Sequence, residues 1–146
     1  MIKKSIFFLT HFTAMAQNEL AMCLTRRIYH PEEYIPITNG DDRQLIIINS
    51  GRVDILVVRK HNNQRLIKPM RTIRPEDGRP TMNVFGYSAV LLNRDIPLLA
   101  FTQEMSGVYI LQKKDLERVL GKSNSDFESA HEIREKMLMQ RNVGSI

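Results

Sequence analysis

Phe85-Gly86-Tyr87-Ser88-Ala89-Val90-Leu91-Leu92 stands apart from what surrounds it. It is short, helical in pattern and opens on a glycine, whereas the chain on either side reads as strands. Upstream, Pro75, Gly78 and Pro80 mark a loop. Downstream, Leu98 to Thr102 and Val108 to Leu111 are strand-like runs around Ser106-Gly107. Toward the N-terminus, Leu45 to Ile48 and Arg52 to Val58 are rich in β-branched residues and are separated by Asn49-Ser50-Gly51, which reads as a hairpin. Asn62-Asn63 turns the chain again into Arg65 to Met70, with Thr72-Ile73 beyond. Tyr34 to Ile37 forms a further strand ahead of the turn-forming cluster Asn39-Gly40-Asp41-Asp42. Short strands at intervals of about 8–12 residues imply a closed or rolled β architecture rather than a parallel sheet.

Helix flanks this region on both sides. Ala16, Leu20, Cys23, Leu24 and Arg27 recur at helical spacing and predict a helix over Ala14 to Arg27, ended by His30-Pro31. Lys113 to Leu120 reads as helix with Gly121 as its stop. Ser125-Asp126-Phe127-Glu128 has capping-box spacing, and Phe127, Ala130, Ile133, Met137 and Leu138 give the following helix an apolar stripe. That stripe predicts packing against the Phe85 to Leu92 region or against a partner.

Composition narrows the function classes. The chain has 146 residues, 42% hydrophobic and 25% charged, which suits one globular domain and excludes collagen, coiled coil and wholesale disorder. Apolar runs reach no more than five residues, as in Leu20 to Leu24, so no membrane-spanning helix is expected. Lys3 and Lys4 ahead of Ile6 to Leu9 imitate a secretory signal. Thr10-His11 interrupts that apolar run well short of the about 7–15 residues a signal needs. With Cys23 as the single cysteine, a reducing, cytoplasmic setting is expected.

The net charge of +5 is local: eight Lys/Arg and three acids between Arg52 and Arg79 carry the whole excess. These cations alternate with apolar residues, and no aromatic lies between Arg52 and Val84 to stack a base. A solvated strand face is expected there, not a nucleic-acid site. Chemistry for catalysis is missing. His11, His30, His61 and His131 are scattered without ligand-spaced partners, so no metal site is expected. Gly121-Lys122-Ser123 lacks the earlier glycine and the preceding strand of a phosphate loop. Glu32-Glu33 and Asp41-Asp42 are adjacent turn carboxylates, and no nucleophile elbow is present. The chain is not read as an enzyme.

With its surroundings, Phe85 to Leu92 resembles the phosphate-binding cassette of the cyclic nucleotide-binding domain family. Tyr29-His30-Pro31-Glu32-Glu33-Tyr34-Ile35 looks like that family's "Y-x-P-G-E-x-I", with Glu32 where glycine is usual. Leu45 to Ile55 is similar to its "L-Y-x-I-x-x-G-x-V-x-I" hairpin, and Ile110 to Leu116 looks like its last strand entering a helix. The resemblance runs from about Phe7 to Leu138. It implies an α+β, mainly β fold: a jelly-roll-like β-roll of about eight strands with an N-terminal helix and two C-terminal helices. One domain, 1–146, would divide into a helical lead-in (1–30), a β-roll with cassette (31–112) and C-terminal helices (113–142).

The resemblance also implies a nucleotide pocket at Phe85, Gly86, Tyr87, Ser88, Ala89, Arg94, Pro97, Leu98 and Leu99. Free amides from Gly86 onward suit an anion, and a glycine lets the backbone approach it. Two of the family's ligand groups are replaced. Its "F-G-E" reads Phe85-Gly86-Tyr87, so the ribose acceptor is missing. Its "P-R-x-A" reads Pro97-Leu98-Leu99-Ala100, so the phosphate arginine is Leu98. Tyr87 and Leu98 are expected to face the roll's cavity and fill it. The expectation is a regulatory or scaffolding module without a bound cofactor, weak or silent toward cAMP and cGMP. It would serve protein partners in a larger assembly such as an ion channel, an exchanger or a ciliary complex. The alternative is a working cAMP or cGMP sensor that uses Arg94 and backbone amides.

Overall fold

The computed structural model describes residues 12–37, 40–77, 83–86, 90, 92 and 97–142. Eight strands among them form two four-stranded antiparallel sheets. The strands are β1 (Thr25–Tyr29), β2 (Tyr34–Ile35), β3 (Gln44–Ser50), β4 (Val53–His61), β5 (Gln64–Ile73), β6 (Val84–Phe85), β7 (Leu98–Thr102) and β8 (Ser106–Gln112). One sheet has the order β1-β8-β3-β6 and the other β2-β7-β4-β5. Three α-helices lie among the described residues: α1 (Ala14–Met22), α2 (Lys113–Leu120) and α3 (Asn124–Asn142). The mainly β roll, with one helix before it and two after, is the fold the sequence implied.

Sheet pairing explains why the run Leu45 to Ile48 is uninterrupted. Leu45 and Ile47 join one core cluster with Leu20, Leu116 and Val119, under the helices. Ile46 and Ile48 join another with Ile55, Ala100 and Val108, between the sheets. A strand covered on both faces reads as continuous rather than alternating. At the far end of the β4–β5 hairpin, Asn62 and Asn63 both have positive φ (50° and 64°), which suits a two-residue turn matched to strand twist.

Several boundaries differ from the sequence reading. The first helix stops at Met22, and Thr25–Tyr29, inside the expected helical lead-in, is a strand paired with β8 from Thr25↔Ile110 to Tyr29↔Ser106. Leu20 and Leu24 both reach the helix-side core, so their helical spacing extended past the real stop at Cys23. The roll therefore starts at Thr25, six residues before the expected boundary at 31. The second strand ends at Ile35 before Pro36, and β6 was not foreseen as a strand. Gly121 closes α2 as expected, with a right-handed φ of −75°.

The terminal helix is docked by chemistry as well as by apolar contact. Asp126, 2% exposed, accepts from the Thr13 amide (2.8 Å) and hydroxyl (2.9 Å), while the Thr13 hydroxyl caps α1 at the Ala16 amide. Ala130 is buried in the helix-side core, the cluster that also holds Val90, and Ile133 packs against that cluster. Phe127 departs from its expected place in the stripe: it is 60% exposed, with Glu128, His131 and Glu132 along an open groove. The Met137 side chain, Phe7-Phe8-Leu9 and the signal-like start lie outside the described residues.

Candidate functional site

The two sheets leave two open sides, one between β1 and β2 and one between β5 and β6. The cassette begins on the second. Phe85, at the end of β6, is buried in the inter-sheet core, and Gly86 follows with a φ of +99°. A Cβ at Gly86 would sit 2.5 Å from the Gln44 carbonyl oxygen. Glycine is therefore demanded by close approach to β3 and by backbone conformation together. The Val90 amide donates to the Gly86 carbonyl at 3.1 Å. Phe85, read with the helical stretch, is strand. Tyr87, Ser88, Ala89 and Arg94 lie outside the described residues.

Leu98 is placed by register. It pairs with Val57 on β4, Ala100 pairs with the fully buried Ile55, and Leu98 and Ala100 both join the inter-sheet core. Leu98, at the position matched to the motif's arginine, is thus a half-buried leucine on the roll's inner face. Leu99, between them, faces the opposite side with its partner Leu56. Pro97 is exposed, and its carbonyl accepts from the Val58 amide at 2.8 Å, extending the ladder by one bond.

One inner-face residue was missed. Arg71 pairs with Ile55 and lies two residues from the buried Ile73, so it occupies the inner face of β5. Its guanidinium donates to the Val84 carbonyl at 2.9 Å, linking the edge strands β5 and β6 beside the cassette. The alternation of Arg71 with Ile73 was the available signal, lost when Thr72-Ile73 was read apart from Arg65 to Met70.

The opposite side is closed by Thr102, which is fully buried. Its hydroxyl donates to the His30 carbonyl (2.6 Å) and accepts from the Glu33 amide (2.9 Å). Its backbone exchanges bonds with Glu32 and Glu33. Glu32 has a φ of 63°, which accounts for the glycine usual in the motif. Nearby, Tyr29 packs against the inter-sheet core; burial pushes its phenol pKa up, opposed by Arg27 and aided by Glu33. Among the described residues no group of three or more His, Cys, Asp or Glu is placed to hold a metal ion.

No family model and no curated protein matches the sequence. Solved structures do match. The N-terminal domain of a transcriptional regulator from Streptomyces coelicolor A3(2) gives a TM-score of 0.72 at 10% identity, over 97% of this chain and 93% of that one. The sensor domain of the transcriptional regulator DNR from Pseudomonas aeruginosa gives 0.70 at 14% identity, over 99% and 91%. The regulatory domain of Toxoplasma gondii protein kinase A, crystallised with cAMP, gives 0.65 at 14% identity, over 92% of this chain and 48% of that one. The chain thus spans about half the length of that kinase regulatory structure. At such identities the likeness establishes the fold, and the fold is that of cyclic nucleotide-binding domains.

Proposed function

We propose that this chain is a non-catalytic regulatory or scaffolding module on the cyclic nucleotide-binding fold, whose cassette no longer retains a cyclic nucleotide. The observation that carries the reading is Leu98 packed into the inter-sheet core where the motif calls for an arginine. A cyclic phosphate needs a counter-charge at that point, and an aliphatic side chain supplies none. A hydrogen bond to a charged group is worth about 1.5–3 kcal/mol, so its loss costs one to two decades of affinity. The missing ribose acceptor at Tyr87 adds a similar loss.

The sensor and regulatory domains that share the fold support a regulatory role. No described helix is long and apolar enough to cross a membrane. We place the module in the cytoplasm, acting through protein partners in a larger assembly of the channel, exchanger or ciliary kinds that the family resemblance implies. Thermal unfolding with millimolar cAMP or cGMP tests the reading. A dissociation constant near a millimolar stabilises by only about 0.4 kcal/mol at that concentration, so the midpoint should barely move. A ligand at 100-fold its dissociation constant would stabilise by about 2.7 kcal/mol. A saturable rise of several degrees would overturn the proposal.

A further inference from the structure

We propose that the mouth of the roll carries an anion site on the inner face of the β4–β5 hairpin. Lys68 and Arg59 form it, with Arg71 at its inner end, and it takes a small organic polyphosphate. The inference goes beyond the module reading and rests on it in one respect, that Leu98 has closed the usual phosphate position.

Cross-strand register defines the site. One inner-face row is Ala100–Ile55–Arg71, and the next toward the mouth is Leu98–Val57–Lys68. Beyond the end of β7 comes the pair Arg59–Leu66. That this face is the inner one follows from Ile55, Ile73, Ala100 and Leu98, which share one core with Phe85. Cations on the outer face of a hairpin would be ordinary. On the face that elsewhere holds Val53, Ile55 and Ile73 they are not.

The row through Leu98 thus ends in a cation two strands away, a displacement of about 10 Å at ordinary strand spacing. Arg59 and Lys68 are diagonal neighbours across the pair, within reach of one anion for side chains of their length. Both are exposed, and neither makes an ion pair among the described residues. No acidic residue occurs from Val57 to Thr72. Arg71, bonded to the Val84 carbonyl, carries positive charge to the edge strand β6. Leu66 and Val57 lie between the cations and offer apolar contact to an organic group. Three cations spread along the face suit several negative charges better than the single charge of a cyclic monoester.

The test is calorimetric titration of the whole chain with inorganic tripolyphosphate, ATP and cAMP at fixed salt. Saturable tripolyphosphate binding is expected, weakened about tenfold or more by Lys68→Gln and by Arg59→Gln. Lys136→Gln, on α3, should leave it within about twofold. Unfolding midpoints check that the exposed-residue variants remain folded. ATP binding that clearly exceeds tripolyphosphate binding would identify a nucleotide; equal binding would identify a site for the phosphates alone. Absence of saturable binding to both would overturn the proposal, as would equal loss in Lys136→Gln. Tight cAMP binding that ignores Lys68→Gln would instead overturn the module reading, so the two failures are distinct.

Discussion

The two open sides of the roll are closed by different means. Between β1 and β2, Thr102 fixes the turn at His30 to Glu33 through four short hydrogen bonds, three of them to or from the main chain of Glu32 and Glu33. That turn keeps its shape although Glu32 replaces a glycine at a left-handed position. Between β5 and β6, closure rests on one guanidinium, Arg71, and on the close approach of Gly86 to β3. Main-chain bonding tolerates a poor residue, whereas steric closeness does not. The glycine at 86 is accordingly required by its surroundings, whereas position 98 carries an apolar side chain packed on the inter-sheet core. On the proposed reading, fold and ligand chemistry are separable in this domain, because different atoms would carry them.

The sharpest way to break the contrast is Gly86→Ala. The added Cβ meets a main-chain oxygen at 2.5 Å and the backbone keeps a positive φ. We expect a loss of about 3–4 kcal/mol, seen as a fall of roughly 6–15 °C in the unfolding midpoint. A change under a degree would show that the cassette edge is loose. Thr102→Val comes next. It leaves the His30 carbonyl and Glu33 amide without their hydroxyl partner, and about 2–3 kcal/mol should be lost in urea unfolding. A neutral result would mean that the backbone bonds alone hold that side.

Arg71→Met should cost less, about 1–2 kcal/mol, but its effect should be local. Hydrogen exchange should quicken around β6 and stay unchanged around Glu33, and uniform quickening would contradict the separate-closure view. Smallest is Glu32→Gly, which relieves a left-handed non-glycine residue and should stabilise by about 0.5–1 kcal/mol. A loss of stability would show that the Glu32 side chain contributes more than its backbone strain costs.

How much of this was legible in the sequence follows the same physical line. Strands covered on both faces, such as β3, announced themselves as continuous apolar runs. The Asn62-Asn63 turn and Gly51 were readable because each residue type supplies the φ its turn demands. Strand β1 was hidden: four of its five residues are exposed, so it carries no alternation, and the helical spacing of Leu20 and Leu24 ran into it. The two-residue β6 is too short for any periodicity. At the site, the motif positions Phe85, Gly86 and Leu98 were found by resemblance, and register then placed Leu98 inward. A motif does not state which face a residue takes, and register turns Leu99 to the face opposite Leu98. Arg71 escaped because a charged residue on an edge strand normally reads as solvated. The docking of Asp126 on Thr13 escaped too, since their separation in sequence is 113 residues.

The most direct measurement of the separation between fold and ligand chemistry is an amide NMR titration of the unaltered chain with cAMP, followed at Gly86, Leu98 and Ala100. With Leu98 packed against the inter-sheet core, these resonances should drift at most slightly and without saturation up to millimolar nucleotide. Saturable shifts centred on Gly86 at micromolar cAMP would show a working cyclic nucleotide pocket and contradict the central claim.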